Sequence, residues 1–120
     1  MPDPAVIDAQ AIDNLRMLNP GDNGEFLREI IGIFLEDTPQ RIAELEQSLR
    51  AGDTPKFTRA AHSIKGSSAN LGAVALRAVA EKLEHESRTS GLGNVSTLVD
   101  AIKTEFARAQ VELGKLAAPQ

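Results

Sequence analysis

Two histidines and no cysteine stand in the 120-residue chain. Thiolate metal sites, disulfides and cysteine nucleophiles are therefore excluded. Phe57, Ala60, Ala61, Ile64, Ser68 and Leu71 project within a narrow arc at about 100° per residue, which marks the buried face of a helix. His62 lies well outside that arc. Thr58 and Arg59 below it, and Lys65, Gly66 and Ala69 above it, share its surface, because residues three and four apart are helical neighbours. The exposed imidazole is thus framed by small side chains and two cations. A glycine inside a helix costs up to about 1 kcal/mol relative to alanine, so Gly66, one turn from His62, needs a reason. One reason is close packing against a neighbouring helix. The other is clearance: an imidazole that must meet a reactive group held by another protein needs a flank free of bulk, and Lys65 would then bring positive charge beside an incoming phosphoryl group. His85, between Glu84 and Glu86, reads as solvated. A His62/His85 metal site would need a further ligand that the spacing does not supply, and no metal is expected.

The elements that must position these residues are helical, because apolar residues recur at helical spacing and no strand-length alternation is found. A first helix is expected from Asp8, its N-cap, to Leu18, with Ile7, Ala11, Leu15 and Leu18 on one stripe, stopped by Asn19-Pro20-Gly21. A second runs from about Asn23 to Arg50 and is read as one kinked helix through Pro39. Gly52 ends it, and Asp53-Thr54-Pro55 starts a third that reaches about Asn70. A fourth spans about Ala73 to Ser87, burying Leu76, Val79, Ala80 and Leu83, and Thr89 to Gly93 form a loop. Asn94 caps a fifth, whose stripe is Val95, Leu98, Val99, Ile102, Phe106, Ala109, Leu113 and Leu116. Short connections make sequential neighbours antiparallel. The fold class is all-α: an up-down four-helix bundle with a short additional N-terminal helix, one domain over residues 1–120, frayed at 1–7 and 117–120.

Composition narrows the function further. Hydrophobic residues at 42% and charged residues at 25% are ordinary globular values, so wholesale disorder is not expected. A net charge of −4 with four Phe and no Trp or Tyr opposes nucleic-acid binding, which needs clustered cations and stacking platforms. The apolar stretch Ile30 to Leu35 is far short of a membrane span, and the first residues lack the basic start and apolar run of a secretory signal. A cytoplasmic protein is expected.

His62-Ser63-Ile64-Lys65-Gly66-Ser67-Ser68-Ala69-Asn70-Leu71-Gly72, with Leu83-Glu84 downstream, resembles the signature of histidine-containing phosphotransfer (HPt) domains, including the phosphoacceptor domain of chemotaxis histidine kinases. The resemblance implies a bundle whose exposed histidine accepts a phosphoryl group from a receiver-domain aspartyl phosphate and passes it to another receiver. By position His62 takes the phosphoacceptor role, Lys65 the phosphate-facing lysine, Gly66 the clearance position and Ser67 a polar neighbour, with Arg59 also beside the phosphate. Glu84 falls where some members place a Glu or Gln near the imidazole. A carboxylate there would accept from Nδ1–H and leave Nε2 free for attack, and an ordinary solvated helix glutamate is the other reading of the same residue. The resemblance also implies receiver domains and a hybrid histidine kinase as partners, magnesium on the partner receiver and no cofactor on this chain. A monomer is expected. Ile12 and Met17 project about 100° from the buried stripe of the first helix. With Ala69 they are the expected docking contacts for a receiver helix, and the other reading of the pair is contact with the underlying bundle.

No nucleotide motif, glycine-rich phosphate loop or acidic metal cluster is visible, so the expected activity is relay without autonomous kinase chemistry. The competing readings are a receiver-binding module that does not transfer, and a phosphoacceptor domain excised from a larger chemotaxis-type or hybrid kinase. Met1 and a complete set of helices favour a free-standing protein.

Overall fold

The computed structural model describes residues 6–18, 21 and 24–117. They form five helices: α1 (Ala9–Met17), α2 (Glu25–Ala51), α3 (Thr54–Asn70), α4 (Val74–Ser90) and α5 (Ser96–Ala117). Helix α2 packs on α3, α3 on α4, α4 on α5, and α5 returns to α2, which closes the four-helix ring, while α1 lies against α2. The expected all-α bundle with an added N-terminal helix is the observed fold.

Local chemistry sets the boundaries. Asp8 caps α1 by accepting from Gln10 N–H at 3.0 Å, and Asp53 caps α3 by accepting from Lys56 N–H at 3.2 Å, with Pro55 in the first turn. Helix α2 runs unbroken through Pro39, whose ring sits at the surface. Proline has no N–H for the preceding turn, and the Gln40 side chain donates to the Glu36 carbonyl at 3.4 Å beside it. Gly52 closes α2 in the left-handed conformation at φ +69°. Two expected boundaries shift. Helix α4 continues through Thr89 to Ser90, where a loop was expected. Helix α5 starts at Ser96, with Val99 N–H bonded to the Val95 carbonyl, two residues after the cap expected at Asn94.

The core is the set of inward faces: Leu27, Ile31, Phe34 and Leu45 from α2; Phe57, Ala61 and Ile64 from α3; Leu76, Ala80 and Leu83 from α4; Val99, Ile102, Phe106 and Leu113 from α5. At about 25 cal/mol per Å² of buried apolar surface, each large side chain contributes about 1.5–3 kcal/mol. Phe34 and Phe106 tie α2 to α5 with ring centroids 5.9 Å apart.

Helix α1 corrects one expectation. Ile12 is only 2% exposed and belongs to the core, whereas Leu18, expected on the buried stripe, is exposed. The whole helix is turned so that Ile12, flanked by half-buried Leu15 and Ala11, faces the bundle. A pin at its start fixes this orientation: Asp8 N–H donates to the Gly72 carbonyl at 2.7 Å, and a side chain at Gly72 would meet Ala11 Cβ at 2.6 Å. Gly72 also holds φ +67°, so glycine is required there twice over. Val6 and Ile7, placed with the frayed start, pack against the core. The expected fraying of residues 1–5 and 118–120, and the Asn19-Pro20 stop, lie outside the described residues.

Candidate functional site

The six residues read as the inward arc of α3 are all buried, and this fixes His62 on the outer face with its side chain 65% exposed. Its ring reaches across to α4. Nδ1–H donates to Glu84 Oε2 at 2.7 Å, and Glu84 itself is 4% exposed. The reading of Glu84 as an ordinary solvated glutamate is therefore wrong. It sits one residue after the core Leu83, on the seam where α4 meets α3.

Glu84 collects three donors. Lys65 Nζ lies 2.5 Å from Oε1, and Arg88, one turn along α4, reaches Oε2 at 2.9 Å, the same oxygen that accepts from His62. Burial by itself would raise the Glu84 carboxyl, but the bonds from Lys65 and His62 outweigh it and hold the group below its ordinary value of 4.5. An ionised carboxylate can only accept, so it holds the proton of the ring on Nδ1 and leaves the Nε2 lone pair as the free nitrogen. A second clasp sits one turn below: Thr58 Oγ1 donates to Ser87 Oγ at 2.7 Å, and Ser87 donates to the Glu84 carbonyl at 3.2 Å. Together they hold α4 in register with α3.

The remaining sequence candidates divide. Gly66 is exposed, and a Cβ built on it meets nothing within 4 Å. Close helix packing is thereby eliminated as its reason, and the clearance reading keeps its geometric basis. Ala69 is exposed and Met17 is 75% exposed, whereas Ile12, proposed with them as a docking contact, is buried in the core and unavailable to a partner. Ser67 turns its hydroxyl back onto the Ser63 and Ile64 carbonyls at 3.1 and 3.3 Å. Lys65, read as facing the phosphate, is drawn onto Glu84. Arg59 makes no bond to Glu84 and lines a cleft with Arg41 and Glu44 of α2. His85 is exposed, and no group of three metal-ligating side chains exists among the described residues. The reading of the sequence missed Arg88, although its i, i+4 spacing from Glu84 is a helical ion-pair signal.

The sequence that carries this site and the bundle that presents it both match a known family. The Hpt domain family profile matches residues 29–112. The chain belongs to the Hpt domain family. A curated relative, Multistep phosphorelay regulator 1 of Schizosaccharomyces pombe, is 34% identical over 83 residues; the match covers 69% of this chain, which spans only 28% of that protein. Among solved structures, histidine-containing phosphotransfer protein B from Pseudomonas aeruginosa PAO1 superposes with a TM-score of 0.86 at 27% identity, covering 97% of this chain and 96% of its own. A histidine-containing phosphotransfer protein from maize, with a TM-score of 0.77 at 21% identity over 94% of this chain and 88% of its own, shares the fold. Among the described residues of this Hpt domain, no helix is long and apolar enough to cross a membrane.

Proposed function

We propose that this Hpt domain is a phosphorelay intermediate that accepts a phosphoryl group on His62 from a receiver-domain aspartyl phosphate and passes it to another receiver. The observation that carries this reading is the division of labour on one ring: Nδ1 is held by a buried carboxylate, which leaves Nε2 as the nitrogen with a lone pair on a side chain 65% exposed beside the open flank at Gly66. In the forward step the Nε2 lone pair forms a bond to phosphorus while the bond from phosphorus to the aspartate oxygen breaks, and the electron pair leaves with the restored carboxylate. The ring keeps its Nδ1 proton and becomes cationic, and Glu84 is already placed against that proton. Reversal onto a second aspartate completes the relay. Lys65 and Arg88 hold Glu84 and supply positive charge to the same neighbourhood.

The magnesium expected for this chemistry belongs to the receiver, as does the aspartate, so this chain's task is to present and orient one nitrogen. A receiver domain and an upstream hybrid kinase are the partners this reading calls for, with the chain acting as a monomer in the cytoplasm. Incubation of the pure chain with phosphorylated receivers tests it: acid-labile, base-stable phosphate should appear on the wild type and be absent from His62→Gln. A chain that binds a receiver and acquires no phosphate is a passive docking module instead.

A further inference from the structure

The α2-facing flank of α3 holds a second charged constellation. A cleft of about 350 Å³ opens between the two helices, lined by Arg41, Glu44, Lys56, Arg59, Ala60 and Ser63. Three of these six are cations, in a chain whose net charge is −4. The lone carboxylate, Glu44, is ion-paired with Arg41, which also reaches Asp37 at 3.6 Å. Arg41 Nε is nonetheless buried without an acceptor. Lys56 and Arg59 have no carboxylate partner among the described residues, a condition they share with Arg50, Arg77 and Lys82, but of these only Lys56 and Arg59 line the cleft. The cleft therefore gathers unused donors around an acceptor that is already taken.

Its position says what could supply the missing anion. Relative to His62, Arg59 lies about 60° round α3 and about 4.5 Å along it, and Lys56 about 120° round and about 9 Å along. A specific protein interface covers about 800 Å² on each partner, a disc about 16 Å in radius, so a protein seated over His62 is broad enough to reach the cleft. The phosphoryl group of a docked receiver is directed at His62, so the anion that a receiver can bring to the cleft is an Asp or Glu carboxylate, which matches the guanidinium fork and a lysine ammonium.

We infer that the cleft is a socket for an acidic side chain of the receiver partner, gripped by Arg59 and Lys56 when the receiver docks over His62. The inference rests on the proposed phosphorelay reading, because it needs a receiver to dock there. The socket steers and selects: charged groups at the edge of an interface act mainly on association rate and on the rejection of wrong partners.

The test compares two double charge reversals with the same change in net charge. One is Lys56→Glu with Arg59→Glu in the cleft; the other is Arg77→Glu with Lys82→Glu on the exposed face of α4. Circular dichroism and thermal melts establish that both fold. Binding of the receiver domains of the same genome is measured in a His62→Gln background, where no transfer occurs, and transfer is measured with His62 present. The cleft pair should slow association at least tenfold at about 50 mM salt, the α4 pair should change it less than threefold, and the gap should close near 0.5 M salt, where the screening length is about 4 Å. Equal losses in the two pairs, unchanged association in the cleft pair, or no receiver binding to the wild type would each overturn the socket. So would inorganic phosphate that saturates the Lys56 and Arg59 amide resonances at low millimolar concentration while receiver association ignores the cleft, since that marks a small-anion site. Normal transfer with a cleft pair that associates like wild type sinks the socket alone. Receiver binding that depends on the cleft with no phosphate gained sinks the phosphorelay reading alone.

Discussion

On the α4 side of α3, one nearly buried carboxylate takes donors from His62, Lys65 and Arg88. On the α2 side, Lys56, Arg59 and a buried Arg41 nitrogen surround a carboxylate that is already committed. The first flank is electrostatically complete within the chain, and the second has donors to spare. A complete network holds a geometry, because the carboxylate that fixes the imidazole is itself held by Lys65 and Arg88. An incomplete one waits for an anion from outside. His62 sits between the two, so the same helix presents a fixed nitrogen and an adaptable grip. The contrast also separates residues expected to govern the chemical step from residues expected to govern association.

The largest effect should come from His62→Gln, which should abolish phosphoryl acceptance while moving stability by no more than about 0.5 kcal/mol, since the ring is mostly exposed. Radiolabel transfer and thermal melts on the same preparation check both halves, and extensive unfolding would make His62 structural. Gly66→Leu should follow. The added side chain stands in open space one turn from the imidazole, so the fold should tolerate it while the receiver is held off, and displacement of reacting atoms by about 1 Å can cost about 100-fold in rate. Glu84→Gln should slow transfer about 10- to 100-fold with the receiver KM nearly unchanged, because Glu84 is buried and acts through the imidazole. A rise in KM with a constant maximal rate would move Glu84 from the chemical flank to the docking flank and break the comparison.

How much of this could be read from the sequence depends on whether the information lies along one helix or between two. The inward arc of α3 and the exposure of His62 follow from spacing alone, as do the Asp8 and Asp53 caps. The bundle was legible for the same reason, and the family from the resemblance of the His62 to Gly72 run and Leu83-Glu84 to the HPt signature. The burial of Glu84 was not, since a glutamate after a core leucine points inward or outward according to how α4 is rotated on α3. Ile12 failed for a related reason: the face of α1 is set by the pin at Gly72, which lies 60 residues away in sequence. Arg41 and Lys56 drew no notice because a cleft built from two helices leaves no periodic signal in either.

Acid stability sharpens the account of the complete flank. The Glu84 carboxyl is held below 4.5 in the folded chain. Over the range between that folded value and 4.5, the unfolded chain binds a proton that the folded chain does not. The contribution of this carboxylate to stability is therefore fully present above about pH 4.5 and lost as pH falls through the folded value. Urea midpoints between about pH 6 and pH 3 should fall more steeply for the wild type than for Glu84→Gln, which has no proton to bind. Parallel slopes would mean that Lys65 and His62 do not favour the ionised form.

Gly66→Ala carries the smallest expected change and tests why the exposed stripe between the two flanks is bare. Alanine is the better helix former, and it also reduces the conformational freedom of the unfolded chain, so the substitution should stabilise the fold by about 0.5–1 kcal/mol. Nothing in the bundle opposes the methyl group, because a Cβ at this position has no neighbour within 4 Å. A helix that keeps glycine where alanine would fit and stabilise is retaining it for something outside its own packing. If that is room for a receiver, Gly66→Ala should raise the denaturation midpoint and slow transfer modestly, with Gly66→Leu slowing it far more. Destabilisation that grows from Ala to Leu would place a packing partner over Gly66 and leave the uncrowded imidazole without its explanation.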